Sequence, residues 1–175
     1  MDTLFVAPPP VVISMINFAS SRPQMLKNYT SGVPAHKSVS RIEAQLAAHG
    51  AQSVVKQYVD RRLAAVSFFM QLDDRLVPFR LPARVDRVEQ VLTGAVRRPR
   101  KSTLAKVAEQ AERTAWKIIS DWVDAQMALI ELQQADLAEV FLPYIWDEKK
   151  GRSFYQAVIT EGYTLLPPPR KDGAC

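Results

Sequence analysis

The sequence predicts an α+β fold with the element order α-β-β-β-α, followed by a long helix and a short C-terminal helix. Three observations lead to this prediction: an amphipathic helical pattern before Gly50, three consecutive β-like runs, and a much longer helical pattern in the second half of the chain. The length of 175 residues fits one domain, and the 47% of apolar residues is enough for one core.

The first helix is expected over residues 38–49. Ser40 and Glu43 have the spacing of a capping box, in which two side chains satisfy free backbone N–H groups at a helix start. Gly50 can end the helix, because glycine readily adopts the left-handed conformation that follows a last turn. The apolar face would consist of Val39, Ile42 and Leu46.

Three β-like runs follow, over residues 53–59, 63–72 and 76–81, and short triplets rich in Asp and Arg separate them. They are expected to form a three-stranded antiparallel sheet. Apolar residues alternate along the second and third runs, which predicts that one face of the sheet packs on the core. Pro78 has no backbone N–H to donate, so the third strand should lie at an edge.

A second helix is expected to begin after Pro82 and to end near Gly94. Arg84 and Arg87 are three residues apart, so they share the face of this helix that looks outward. The buried face would consist of Val85, Val88, Val91 and Leu92.

The long helix can be capped by Ser102 or Thr103, and it is expected to reach at least Gln134, or Leu142 before Pro143 stops it. It carries two apolar stripes. One stripe can cover the sheet, and the other then needs a partner, either the short helix from 153 to 161 or a second copy of the chain in a homodimer. The residues assigned to an intermolecular interface are Trp116, Ile119, Val123, Met127 and Ile130.

The domain boundaries follow from where folding signals begin and end. Residues 1–27 are expected to be a disordered extension, residues 28–166 a single α+β domain, and residues 167–175 a flexible tail. Since the first folding signals come after Met25, translation from Met25 is an alternative to translation from Met1.

The compartment is inferred from two features of the sequence. The apolar stretch Val11–Phe18 is far shorter than the roughly 20 residues that span a bilayer, and no basic residue precedes it as in a signal peptide. The single cysteine is Cys175, so no internal disulfide can form. A cytoplasmic protein without a membrane partner is therefore expected.

Positive charge is concentrated in one segment. From Arg75 to Lys106 nine basic residues stand against two acids, giving +7 within a chain whose net charge is +5. Such a segment can bind the phosphates of DNA or RNA, and the alternative is a loop that is merely well solvated. No aromatic residue except Phe79 is interleaved with the cations as a stacking surface. The predicted phosphate contacts are Arg84, Arg87, Arg97, Arg98, Arg100 and Lys101.

The sequence contains no arrangement typical of a catalytic or metal site. His36 and His49 are the only histidines, and no cysteine is near them, so a zinc site has too few ligands. The six glycines never gather into a phosphate-binding loop. Asp73-Asp74 falls in a hairpin turn, where aspartate is favoured for backbone reasons. No enzymatic activity, cofactor or metal is expected.

Four stretches between Gly32 and Tyr155 are distinctive: GVPAHKSVSRIEAQLAAHGA, VSFFMQL, PFRLPARVDRVEQVL and AERTAWKIISDWVDAQMALIELQQADLAEVFLPYIWD. This block resembles a family of small proteins from phages and bacterial mobile elements. The resemblance implies an origin in such an element, and it implies no activity and no functional residues.

The order α-β-β-β-α over residues 38–94 is similar to that of double-stranded-RNA-binding domains, which read A-form shape through phosphates and 2′-hydroxyl groups. That resemblance implies lysines at the start of the second helix. Here the helix begins Pro82-Ala83-Arg84-Val85-Asp86-Arg87, without a lysine cluster.

Charge and resemblance together favour a non-enzymatic nucleic-acid-binding accessory protein of a phage or mobile element, which contacts phosphates through a basic patch. The alternative is a protein–protein adaptor or regulatory module that uses the apolar stripe of the long helix.

Overall fold

The structure, a computed structural model, describes residues 26–96 and 100–162. A helix precedes a three-stranded antiparallel sheet, and a second helix, a long helix and a short C-terminal helix follow, so the predicted α+β fold is confirmed. The elements are α1 Ala35–Ala48, β1 Ser53–Val59, β2 Arg62–Leu72, β3 Arg75–Pro82, α2 Val85–Gly94, α3 Lys101–Glu131, α4 Leu137–Phe141, a 3₁₀ turn Leu142–Tyr144, β4 Trp146–Asp147, β5 Arg152–Ser153 and α5 Phe154–Thr160.

The sheet has the strand order β1-β2-β3, so β3 with Pro78 lies at an edge, as predicted. Phe68 in the central strand stands opposite Val54 of β1 and Phe79 of β3, and these three residues define the core face. Arg80 stands opposite Ser67, one position further along, and therefore points to the outer face.

Two predicted helix starts are wrong. Helix α1 begins at Ala35 directly after Pro34, so Ser40 and Glu43 lie inside the helix and form no capping box. Proline has a φ suited to a helix start and no N–H that needs a partner, which explains the earlier start. Helix α3 begins at Lys101 after Arg100, and no side chain caps it, although Ser102 or Thr103 was expected to do so.

Helix α3 also ends earlier than predicted, at Glu131. Gln133 adopts a left-handed φ of 54°. The N–H of Gln134 donates to the carbonyl oxygen of Leu129 at 2.9 Å, and the N–H of Gln133 donates to the carbonyl oxygen of Ile130 at 3.0 Å. These two bonds make a Schellman cap, which normally uses glycine. The chain reverses there, and α4 begins after Asp136.

The apolar stripe that was assigned to an intermolecular interface packs inside the chain, so that prediction is wrong. Trp116, Val123 and Met127 are at most 1% exposed, and Ile119 and Ile130 are partly buried against the same core. The prediction left one stripe to be covered by the short C-terminal helix or by a second copy of the chain. In the structure α1 and α2 also pack along this helix, and α4 closes its end.

The buried face of α2 is also less extensive than predicted. Val85, Val88 and Leu92 are half-buried, whereas Val91 is 51% exposed. Arg84 and Arg87 face solvent, as expected.

An aromatic cluster joins the sheet to the helices. Phe68 and Phe79 stack with ring centroids 5.0 Å apart, and the ring of Phe141 stands edge-on to Phe68 at 5.5 Å. On its other side Phe141 meets Trp122 of α3 at 5.5 Å, and Trp122 in turn contacts Tyr144 at 5.3 Å. Phe141 thus connects the sheet, the long helix and the C-terminal segment by side-chain packing.

The segment before α1 is anchored on α3 by hydrogen bonds. The side-chain amide of Asn28 donates to the Oδ2 atom of Asp121 at 2.8 Å, and the Thr114 hydroxyl donates to the carbonyl oxygen of Asn28 at 3.1 Å. The side-chain amide of Gln110 donates to the carbonyl oxygen of Tyr29 at 2.8 Å. Lys117 donates to the Oδ1 atom of Asp121. The domain predicted to begin at residue 28 therefore includes the residues just before α1.

The predicted terminal segments fall largely outside the described residues. Of the extension predicted for residues 1–27, only Leu26 and Lys27 are described; Leu26 is half-buried and the Lys27 ammonium lies 3.9 Å from the Asp121 carboxylate. The tail predicted for residues 167–175 lies wholly outside. Within residues 26–96 and 100–162, none of the helices combines the length and apolar character needed to cross a bilayer.

We expect Phe141→Ala to lower the free energy of unfolding by about 3–5 kcal/mol, because it leaves a cavity among three aromatic rings. Urea denaturation followed by circular dichroism measures the change. Val91→Ala, at a position that is 51% exposed, is the matched control and should shift the value by less than about 0.5 kcal/mol. Equal effects of the two substitutions would contradict this view of the core.

We expect the stability of the fold to depend on pH through Asp121. Burial disfavours its charged form, but hydrogen bonds from Lys117 and Asn28 and the charges of Lys117 and Lys27 outweigh burial and hold the pKa of Asp121 below the ordinary 3.8. A pKa that is lower in the folded chain means that the carboxylate stabilises the fold above about pH 4 and loses this contribution as the pH falls through the lowered value.

Asp121→Asn should therefore unfold at lower urea concentration than the unsubstituted protein at pH 7, and the difference should shrink below about pH 4. A difference that stays constant from pH 7 to pH 3 would be inconsistent with ionisation of this carboxyl as the cause.

Candidate functional site

A cleft with a volume of about 730 Å³ lies between the end of β3 and the C-terminal segment. Its walls combine aromatic rings, prolines and two arginines. The lining residues are Arg80, Pro82, Arg84, Pro143, Tyr144, Trp146, Ser153, Tyr155 and Gln156.

Backbone pairing holds the two walls of the cleft together. Ile145 forms a single antiparallel bridge with Phe79 of the edge strand β3, and the N–H of Phe154 donates to the carbonyl oxygen of Ile145 at 2.8 Å. Between them, β4 and β5 form a short hairpin in which Trp146 stands opposite Ser153. The open edge of the sheet thus positions the residues that begin α5.

A capping box fixes the start of α5. The N–H of Gln156 donates to the Ser153 hydroxyl at 3.2 Å, and the N–H of Ser153 donates to the Oε1 atom of Gln156 at 2.8 Å. The orientation of the Gln156 amide is therefore set by the backbone. Tyr155, between these two residues in the chain, is 56% exposed.

Arg80 lies across the indole ring of Trp146, with its guanidinium carbon 4.4 Å from the ring centroid. This is a cation–π contact, and it carries a half-buried charge from β3 onto the opposite wall of the cleft. The Nε atom of Arg80 is buried and has no hydrogen-bond partner among the described residues.

The outer face of the sheet carries further polar atoms whose hydrogen bonds are not formed within the described chain. They are the Ser67 hydroxyl, opposite Arg80, and the Oε1 atom of Gln57, whose residue pairs with Ala65 on the same face. Buried polar atoms normally have partners, so these two atoms are exceptions within the described residues.

The structure divides the predicted phosphate contacts into two groups. Arg84 and Arg87 are exposed at the start of α2, and Arg84 lines the cleft. Arg100 and Lys101 are exposed at the start of α3, beyond the other end of α2. Helix α2, ten residues and about 15 Å long, lies between Arg84 and the second group in the chain, and Arg97 and Arg98 lie outside the described residues.

Carboxylates leave most of this positive charge uncompensated. No ion pair within the described stretches includes Arg80, Arg84, Arg100 or Lys101. Arg87 is 3.9 Å from Asp86, but both side chains are about two-thirds exposed, so solvent screens the pair. Both groups of cations also stand at helix N-termini, where the helix dipole adds positive potential.

The aromatic residues of the cleft were not predicted as site residues. The sequence places Tyr144, Trp146 and Tyr155 about 60 residues or more after Arg84. The available signal was the short helix predicted from 153 to 161, which was a candidate partner of the long helix. Only the pairing of Ile145 with β3 shows that these rings meet the arginines.

The histidines form no metal site. His36, which precedes the helix expected over residues 38–49, lies in the first turn of α1, and His49 at the end of that helix bonds to Glu131 at 3.1 Å. Over the two described stretches, no group of three or more His, Cys, Asp or Glu side chains could hold a metal ion.

The chain matches no protein-family model, no curated protein and no solved structure. The resemblances to phage and mobile-element proteins and to double-stranded-RNA-binding domains stay predictions. The function is therefore inferred from the geometry of the cleft and the distribution of charge.

We expect Arg80 and Trp146 to be energetically coupled. In a double-mutant cycle with Arg80→Met and Trp146→Leu, measured by urea denaturation, the coupling should be about 0.5–2 kcal/mol, the range of a partly desolvated cation–π contact. Additive effects of the two substitutions would show that the stacking contributes nothing to stability.

Proposed function

We propose that this protein binds nucleic acid through phosphate contacts and acts without catalysing a reaction, as an accessory protein of a phage or mobile element. One observation supports the binding most strongly: the exposed Arg84 and Arg87 stand next to an aromatic-lined cleft that also contains Arg80. Cations that follow a phosphate backbone, with rings beside them, are the combination used to bind single strands. The resemblance to phage and mobile-element proteins is the basis for the proposed origin.

The uncompensated cations supply the binding energy in this proposal. Each arginine or lysine that neutralises a phosphate releases a counterion, so affinity falls steeply as salt concentration rises. Such contacts position a nucleic acid but do not read its sequence. Binding with little sequence preference is therefore expected.

The two groups of cations can contact the same strand. Arg84 and Arg87 stand at the start of α2, a helix about 15 Å long, and Arg100 and Lys101 follow its end in the chain. A strand that follows α2 would meet Arg84 and Arg87 at one end and Arg100 and Lys101 at the other. The binding surface is thus an elongated track rather than one compact patch.

A protein–protein adaptor is the second candidate, and it needs a different surface from the one predicted. The stripe of α3 is buried, but Val55 and Leu76 on the outer face of the sheet are 47% and 49% exposed. Exposed apolar residues on one face can mark an interface, including that of a homodimer. Light scattering at several protein concentrations distinguishes a monomer from a dimer that uses this face.

We expect Arg84→Ala combined with Arg87→Ala to weaken binding of single-stranded DNA or RNA and to reduce the salt dependence. Fluorescence anisotropy with labelled oligonucleotides gives the Kd at each salt concentration. If two phosphate contacts are lost, the slope of log affinity against log salt should fall by about 1.4 for a single strand.

Lys37→Ala combined with Arg75→Ala is the matched control, because it removes the same charge from exposed positions on α1 and at the start of β3. Its effect on the slope should be clearly smaller. If no oligonucleotide binds at low salt, or if the two double variants behave alike, the proposed function is wrong.

A further inference from the structure

The three aromatic rings of the cleft differ in what already covers them. Trp146 lies under the guanidinium group of Arg80, and Tyr144 is packed against Trp122. Tyr155 has no aromatic or cationic stacking partner among the described residues, and it is 56% exposed. Tyr155 is therefore the ring with a face free to stack on another molecule.

Polar groups line the same cleft as this ring. Because the Oε1 atom of Gln156 accepts from the backbone N–H of Ser153, the amide NH₂ of Gln156 is left to donate elsewhere. Arg84 contributes a charge to the same cleft, and the guanidinium of Arg80 is held on Trp146. The cleft thus offers a stacking face, a neutral donor and two cations.

We infer that the cleft takes one unpaired base of a nucleic-acid strand, stacked on Tyr155, with a neighbouring phosphate at Arg84. The inference rests on the proposed function and deepens it, since it names single-stranded nucleic acid as the preferred ligand. The volume of about 730 Å³ lies within the range of sites that enclose small ligands. A base in a duplex is stacked on both faces and uses its pairing edge, so only an unpaired base can enter.

Charge favours this occupant over a proline-rich peptide, the other common ligand of aromatic grooves. Arg80 and Arg84 both line the cleft, and no carboxylate of the described residues forms an ion pair with either. A neutral proline helix would leave both guanidinium groups without an anion. A nucleotide supplies a ring for Tyr155 and a phosphate for an arginine together.

The test compares binding of fluorescein-labelled single-stranded dT10 with binding of a labelled 10-base-pair duplex, by anisotropy at low salt. Tyr155→Leu keeps an apolar side chain but removes the ring, and it should weaken dT10 binding about five- to a hundredfold, as expected for the loss of one stacked base. Duplex binding should change less than about twofold on the same reasoning. Tyr155→Phe keeps the ring and should bind dT10 like the unsubstituted protein.

The outcomes separate the two proposals. If Tyr155→Leu binds dT10 normally while Arg84→Ala with Arg87→Ala still weakens it, the base site is wrong and the phosphate-binding function survives. If dT10 and duplex both fail to bind, both proposals are wrong. If decaproline binds and dT10 does not, and if Tyr155→Leu weakens the binding of decaproline, the cleft is a peptide site and the base site is wrong. A thermal melt of Tyr155→Leu by circular dichroism confirms folding, which a side chain that is 56% exposed should not disturb.

Discussion

The packing of Phe141 between the sheet and α3 is the contact on which the rest of this architecture depends. Phe141 can reach Phe68 only because α3 stops at Glu131 and the chain reverses through the left-handed Gln133. A helix that continued to Leu142, as the sequence pattern suggested, would carry this ring away from the sheet. The reversal also delivers Ile145 to the edge of β3, and the cleft follows from that pairing. Core and candidate site therefore share one structural origin.

Helix α3 is too long for the sheet to cover, so α1 and α2 also pack against it. The 31-residue helix is about 46 Å long, longer than a three-stranded sheet can cover. Helices α1 and α2 pack beside it, and hydrogen bonds from the segment before α1 reach Thr114 and Asp121. This internal coverage removes the surface on which an adaptor was predicted to depend. Two exposed apolar residues, Val55 and Leu76, persist on the outer face of the sheet.

Sequence periodicity was sufficient for the order of elements and for the core face of the sheet, because both depend on neighbours within a few residues. It was insufficient at the helix ends. Pro34 and Gln133 set those ends through backbone geometry, while the side-chain caps expected from Ser40 and Ser102 do not form. The charged half of the site was visible in the sequence as a cluster of arginines. The aromatic half depends on the Phe79–Ile145 pairing across 66 residues, which has no local signal.

The placement of the cations argues for a role other than stability. Arg84 and Arg87 stand at the N-terminus of α2, and Arg100 and Lys101 stand at that of α3, where a positive side chain costs about 0.3–1 kcal/mol and an aspartate or serine cap would stabilise the helix. Asp86 offsets this in α2, but no acid lies in the first turn of α3. A bound phosphate would reverse the sign of the interaction at both ends, because it would face a helix dipole and unpaired cations together. In the proposed function, the unfavourable electrostatics of the free protein would favour binding of an anionic strand, and Tyr155 would distinguish an unpaired base from a duplex.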